Sequence, residues 1–159
     1  RRGLPAPGQR ELRARRARAD GDGVHPGTAQ LLCERLGEVQ LEGFDSPLNF
    51  IVDTGASVSV ISSDLAANTA MAPHAQEERM RVIGAAGITE DVPSFLLPKV
   101  TMGTHSRNSI TAIALDLNLI NEASGFEQAG ILGGNFLKNY RMTFDFQNSR
   151  VTFVSVKEQ

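Results

Sequence analysis

Polar and apolar positions alternate from Val39, and the pattern of runs and breaks from there onward reads as a succession of short strands. Val39-Gln40-Leu41-Glu42 alternates, Gly43 to Pro47 supplies turn residues, and Leu48-Asn49-Phe50-Ile51-Val52 resumes as a strand, which predicts a β-hairpin. Val58-Ser59-Val60-Ile61 is a further β-branched run. Ser62 or Ser63 then caps a short helix through Asp64-Leu65-Ala66-Ala67 that ends at Asn68. Met80 to Ile83 and Ile88 to Glu90 flank Gly84-Ala85-Ala86-Gly87, a hairpin with a tip of small residues. Strands are expected at Ser94 to Leu97, Val100 to Met102 and Ser109 to Leu115. Asn135 to Asn139 predicts a helical turn, followed by Met142 to Phe146, a turn at Asn148-Ser149, and Val151 to Val154.

About ten short strands with Gly-rich turns predict an all-β fold, closed or sandwiched as a barrel. Composition agrees. Of 159 residues 41% are apolar and 21% charged, the balance of an ordinary single globular domain, and 15 Gly with no Trp and one Tyr favour tight turns over a helical bundle. No fixed-period repeat is present.

Charge divides the chain in two. Arg1, Arg2, Arg10, Arg13, Arg15, Arg16 and Arg18 face only Glu11, Asp20 and Asp22 in the first 22 residues. The remainder holds nine basic against fifteen acidic residues, so a basic arm precedes an acidic body. With Gly21, Gly23, Pro26 and Gly27 following, residues 1–28 read as an Arg-rich arm and linker, and 29–159 as the folded domain. The arm suits a solvated leader, a patch for RNA or an anionic membrane, or part of a targeting sequence, although no Ser occurs before Ser46. A start at Arg1 without Met leads us to expect a fragment or a processed form. The acidic body argues against nucleic-acid binding by the folded domain.

Cys33 is the single cysteine, so no internal disulfide can form. The longest apolar runs, such as Phe50-Ile51-Val52 and Ala112-Ile113-Ala114-Leu115, are strand-sized and far shorter than a spanning helix requires. His25, His74 and His105 lie far apart with no ligand spacing around them, so no metal site is expected. No Gly-x-Ser-x-Gly elbow is present, and Gly130-Ile131-Leu132-Gly133-Gly134 lacks the Lys-Ser/Thr pair of a phosphate loop.

The candidate chemistry lies at Asp53-Thr54-Gly55, where an apolar strand runs out into a turn that needs Gly. A tripeptide is a short pattern, and a turn aspartate closing a local hydrogen bond would produce it equally well. Its context is more specific. Phe50-Ile51-Val52-Asp53-Thr54-Gly55-Ala56-Ser57 resembles the active-site loop of retropepsin-like aspartic proteases, and Gly130-Ile131-Leu132-Gly133-Gly134-Asn135-Phe136-Leu137 is similar to that family's second signature. Between them, Val82 to Ile88 resembles the flap, and the three elements occur in the family's order.

The resemblance implies a closed barrel or sandwich with a flap hairpin and one short C-terminal helix. It implies Asp53 as the catalytic carboxylate, with Thr54 and Gly55 supporting the active-site loop and the dimer. Ala56, Ser57, Gly84, Ala85, Ala86 and Gly87 would contact substrate, and Ile131, Leu132 and Gly133 would thread the second signature. Hydrolysis by this route needs two carboxylates sharing one proton, a case for which aspartic proteases are the standard illustration. One motif in so short a chain implies a homodimer acting on a polypeptide substrate, with no cofactor. A dimerisation or peptide-binding module without catalysis is the alternative reading. Many viral members place an acid where Ser57 stands and an Arg where Gly134 stands, so their interfacial ion pair has no counterpart here.

Overall fold

The computed structural model describes residues 28–32, 36–84, 87–145, 147 and 150–156. The Arg-rich segment, Cys33, Ala85, Ala86 and the expected turn at Asn148-Ser149 lie outside the described residues.

Ten strands occur among the described residues: β1 (Thr28–Leu32), β2 (Leu36–Leu41), β3 (Leu48–Val52), β4 (Ser59–Ser62), β5 (Ala75–Gly84), β6 (Gly87–Met102), β7 (His105–Leu115), β8 (Gly130–Leu132), β9 (Tyr140–Asp145) and β10 (Arg150–Ser155). They form an antiparallel three-stranded sheet, β1-β10-β9, and a seven-stranded sheet in the order β2-β3-β8-β4-β7-β6-β5. β2 pairs a second time, with β6 through Val39↔Met102 and Leu41↔Val100, so the larger sheet curls round on itself. The all-β class expected from the alternation is the class observed.

The hairpin predicted at Val39 to Val52 is β2-β3, paired antiparallel with Val39 opposite Leu48. β5-β6 is the second hairpin, its last described pair being Gly84↔Gly87. Its strands are longer than the sequence pattern suggested, because Ser94 to Leu97 and Val100 to Met102 are one strand, β6, running through Pro93 and Pro98. Proline lacks the ladder N–H and reads as a break. Here the ladder to β7 skips Pro98: Leu97↔Ile110 is followed by Lys99↔Asn108. The skipped partner, Ser109, adopts φ +53°, a left-handed backbone that lets the strand step past the proline. A second irregularity lies opposite Arg81, where Glu90 and Asp91 together face one residue and Asp91 takes φ +58°.

Beside the short helix after Ser62 and the C-terminal turn, both expected, a 3-10 helix and one further α-helix form among the described residues. α1 (Ser63–Ala66) is capped by Ser62, whose hydroxyl accepts from the Leu65 N–H. Asn68 does more than end that helix: its side chain accepts from the Ala70 N–H and starts a 3-10 helix, Thr69–His74. α2 (Asn118–Ser124) buries no residue and so carries no apolar periodicity by which the sequence could announce it. α3 (Gly134–Leu137) is the expected C-terminal turn, with Phe136 and Leu137 buried.

The main core gathers Phe50, Ile61, Leu97, Met102, Leu132 and Phe136 from the larger sheet and α3 with Phe153 of β10. Each such side chain contributes about 1.5–3 kcal/mol on burial. Phe153 and Tyr140 hold the smaller sheet to the larger one, and the buried His105 lies at that seam, its ring 4.7 Å from the Tyr140 ring.

Candidate active site

The acid-bearing loop begins where β3 ends. β3 lies parallel to β8, with Ile51 opposite Ile131 and Val52 opposite Leu132. One more rung follows, since the Asp53 N–H donates to the Leu132 carbonyl at 3.0 Å. The strand therefore fixes the backbone of Asp53 while its side chain turns away from the core and stays exposed in the single chain. The Gly55 N–H donates to Asp53 Oδ1 at 2.8 Å. This is the local hydrogen bond of a turn aspartate, and it also steers one carboxylate oxygen while leaving Oδ2 free of that turn. Thr54, Gly55 and Ser57 are exposed and Ala56 is half-buried.

The loop is then locked from the far end of the sequence. The Gly134 N–H donates to the Ala56 carbonyl at 2.6 Å and the Asn135 N–H to the Ser57 carbonyl at 3.1 Å. Asn135 Oδ1 accepts from both the N–H (3.0 Å) and the hydroxyl (2.8 Å) of the fully buried Ser59. The Ser59 Oγ in turn accepts from the Gly133 N–H at 3.1 Å, and Asn135 Nδ2 donates to the Thr111 carbonyl at 2.6 Å. Gly133 is required by contact: a Cβ there would lie 2.6 Å from the Val58 carbonyl oxygen and 2.9 Å from that of Ala56. Ser57 and Gly134, the positions without the viral ion pair, thus take part in a backbone clamp.

The two signatures lie side by side, with Leu132 and Gly133 buried and Ile131 half-buried beside the loop. The hairpin reaches the same region through a second apolar cluster, in which Met80, Val82 and Val92 pack with Val60 of β4 and Ile131 of β8. At its tip Gly84 and Gly87 are exposed, and Gly87 holds φ +111°. Ile83, 76% exposed, faces the exposed Ile88 across the hairpin.

Two residues essential to this geometry are not among the sequence-derived candidates. Asn135 is read there only as part of the second signature and the start of a helical turn, with no role at the site, and Ser59 only as part of a strand. The signal was faint: Ser59 is a polar residue in a β-branched run, and in β4, whose four positions are all buried, it demands a partner.

Among the described residues no group of three or more His, Cys, Asp or Glu is poised to hold a metal ion, and no helix is long and apolar enough to cross a membrane.

A family model, Aspartyl protease, matches residues 38–136. Among solved structures, a retropepsin-like aspartic protease from Rickettsia conorii superposes with a TM-score of 0.53 at 14% identity, covering 80% of this chain and 90% of that one. The retroviral protease-like domain of Ddi1 from Leishmania major gives 0.47 at 12% identity, covering 78% and 92%. A protein of unknown function from Legionella pneumophila gives 0.39 at 16% identity, covering 65% and 84%. No curated protein matches the sequence.

Proposed function

Because this chain belongs to the aspartyl protease family, whose model spans more than half of it, we propose that it is an endopeptidase that hydrolyses peptide bonds as a homodimer, one Asp53 from each subunit forming the dyad. The observation that carries this reading is the exposed carboxylate of Asp53, held by Gly55 at one oxygen and seated on a loop clamped by Gly133, Gly134 and Asn135. Such clamping pre-organises an acid for chemistry.

Two Asp53 side chains facing each other across a two-fold axis share one proton, since like charges that close cannot both ionise. The ionised member takes a proton from water as the water attacks the peptide carbonyl carbon. The protonated member donates to the carbonyl oxygen, and collapse of the tetrahedral intermediate transfers a proton to the leaving amine. Thr54 tethers the two loops, Ala56 and Ser57 line the groove, and an extended substrate pairs with strand edges there. The β5-β6 hairpin, whose strands end at Gly84 and Gly87, closes over it and excludes water.

The test is Asp53→Asn in the purified chain, assayed on an unfolded protein with and without pepstatin. Expected are loss of pepstatin-sensitive cleavage with the dimer intact by gel filtration, and a bell-shaped pH profile for the unsubstituted enzyme. Full turnover by the Asn variant would remove Asp53 from the mechanism. A dimer that binds peptide and cleaves nothing would leave a peptide-binding module.

A further inference from the structure

At the end of β3 remote from Asp53 lies a cleft of about 310 Å³, lined among others by Asp64, Asn121, Glu127 and Gln128. Its chemistry is one-sided. No Lys, Arg or His occurs in residues 36–73 or 108–137, the two stretches that supply every lining residue, whereas eight carboxylates do. Gln128 is 4% exposed, and its Oε1 has no hydrogen-bond partner among the described residues, an arrangement that calls for a donor. The Gln128 N–H is fixed by Asn121 Oδ1 at 3.1 Å and its amide nitrogen by Ser124 Oγ at 3.2 Å, so the residue is held in place while its acceptor goes unused.

The same segment is apolar on its outside. α2 contributes Asn121 to the cleft and leaves Leu119 81% exposed, and Phe126 is exposed just beyond it. A face with acceptors and carboxylates in a cleft and exposed apolar side chains alongside suits a cationic chain studded with aliphatic residues. Such a chain precedes Thr28: residues 1–22 hold seven Arg, with Leu4 and Leu12 among them. At up to about 3.3 Å per extended residue, the stretch from Leu12 to Thr28 spans about 50 Å, more than the width of a domain of this size.

We propose that residues 1–22 dock on this face, an Arg guanidinium entering the cleft against Asp64, Glu127 and the Gln128 carbonyl, and a leucine lying against α2. The proposal is independent of catalysis, because neither the cleft nor the arm includes Asp53.

The experiment uses the full chain. Trypsin cleavage within residues 1–22 is followed by mass spectrometry at roughly 20 mM and roughly 500 mM salt, against a free peptide of the same residues under the same conditions. Docking predicts cleavage about ten-fold slower than in the free peptide at low salt, with the difference gone at high salt and in Asp64→Asn/Glu127→Gln. In parallel, a benzophenone side chain placed at Leu12 of the otherwise unaltered chain should crosslink to residues 119–128. Equal cleavage of chain and peptide at low salt, or crosslinks confined to other regions such as residues 53–57, would overturn the assignment.

Discussion

Asp53 owes its setting to residues far away in the sequence, and Asn135 is the clearest of them. Asn135→Ala would leave both donors of the buried Ser59, its N–H and its hydroxyl, without their acceptor, while the Thr111 carbonyl, on an exposed residue, can turn to water. Unpaired buried groups cost about 1–3 kcal/mol each, so we expect a loss of about 3 kcal/mol in denaturant unfolding and a larger fractional fall in kcat than in KM. A variant as stable as the unsubstituted chain would strip Asn135 of this role. Gly133→Ala should cost about 1–3 kcal/mol through the forced shift of the Ala56 and Val58 carbonyls, read by thermal unfolding. At this scale the sequence was legible where chemistry is contiguous. Asp53-Thr54-Gly55 stands as one word, whereas Ser59 and Asn135 are 76 positions apart and neither residue type announces the other.

Among the elements, the seam between the two sheets carries a pH dependence. Burial lowers the His105 pKa below its ordinary 6.5, partly opposed by a hydrogen bond to the Phe153 backbone. The unfolded chain therefore binds the proton more readily than the folded one. The stabilisation is complete above pH 6.5 and is lost as the pH falls through the folded-state value. Unfolding followed across this range should show stability declining on the acid side, and His105→Gln should flatten that limb. The ion pairs Arg79–Asp91 (3.0 Å) and Arg81–Glu90 (3.1 Å) brace the hairpin but lie in solvent. Removing either pair should change stability by less than about 1 kcal/mol. Most strands followed from alternation, but β1 and β8 were not among those expected, and Pro98 hid the continuity of β6 because a proline reads as a break. α2 went unseen because none of its residues is buried.

For the molecule as a whole, the proposed dyad takes one Asp53 from each chain, so on that reading assembly is part of catalysis. Specific activity should therefore rise with enzyme concentration below the dimer dissociation constant and level off above it, which dilution assays read directly. Activity constant per chain at every dilution would argue for a site complete in one subunit. The all-β class was legible because short alternating runs dominate from Val39 onward. The curled larger sheet was not, since the Val39↔Met102 pairing that closes it lies between distant segments.

The clamp that joins Ser57 and Ser59 to Gly133 and Asn135 also sets a timetable. A nascent chain has its acid loop long before the ribosome releases the segment that fastens it, so a stalled or prematurely ended product carries the acid without the means to aim it. On the proposed reading, biosynthesis itself thereby withholds hydrolytic competence until nearly the whole domain has emerged. Stalled nascent chains ending before Gly130 should show no pepstatin-sensitive cleavage at any concentration.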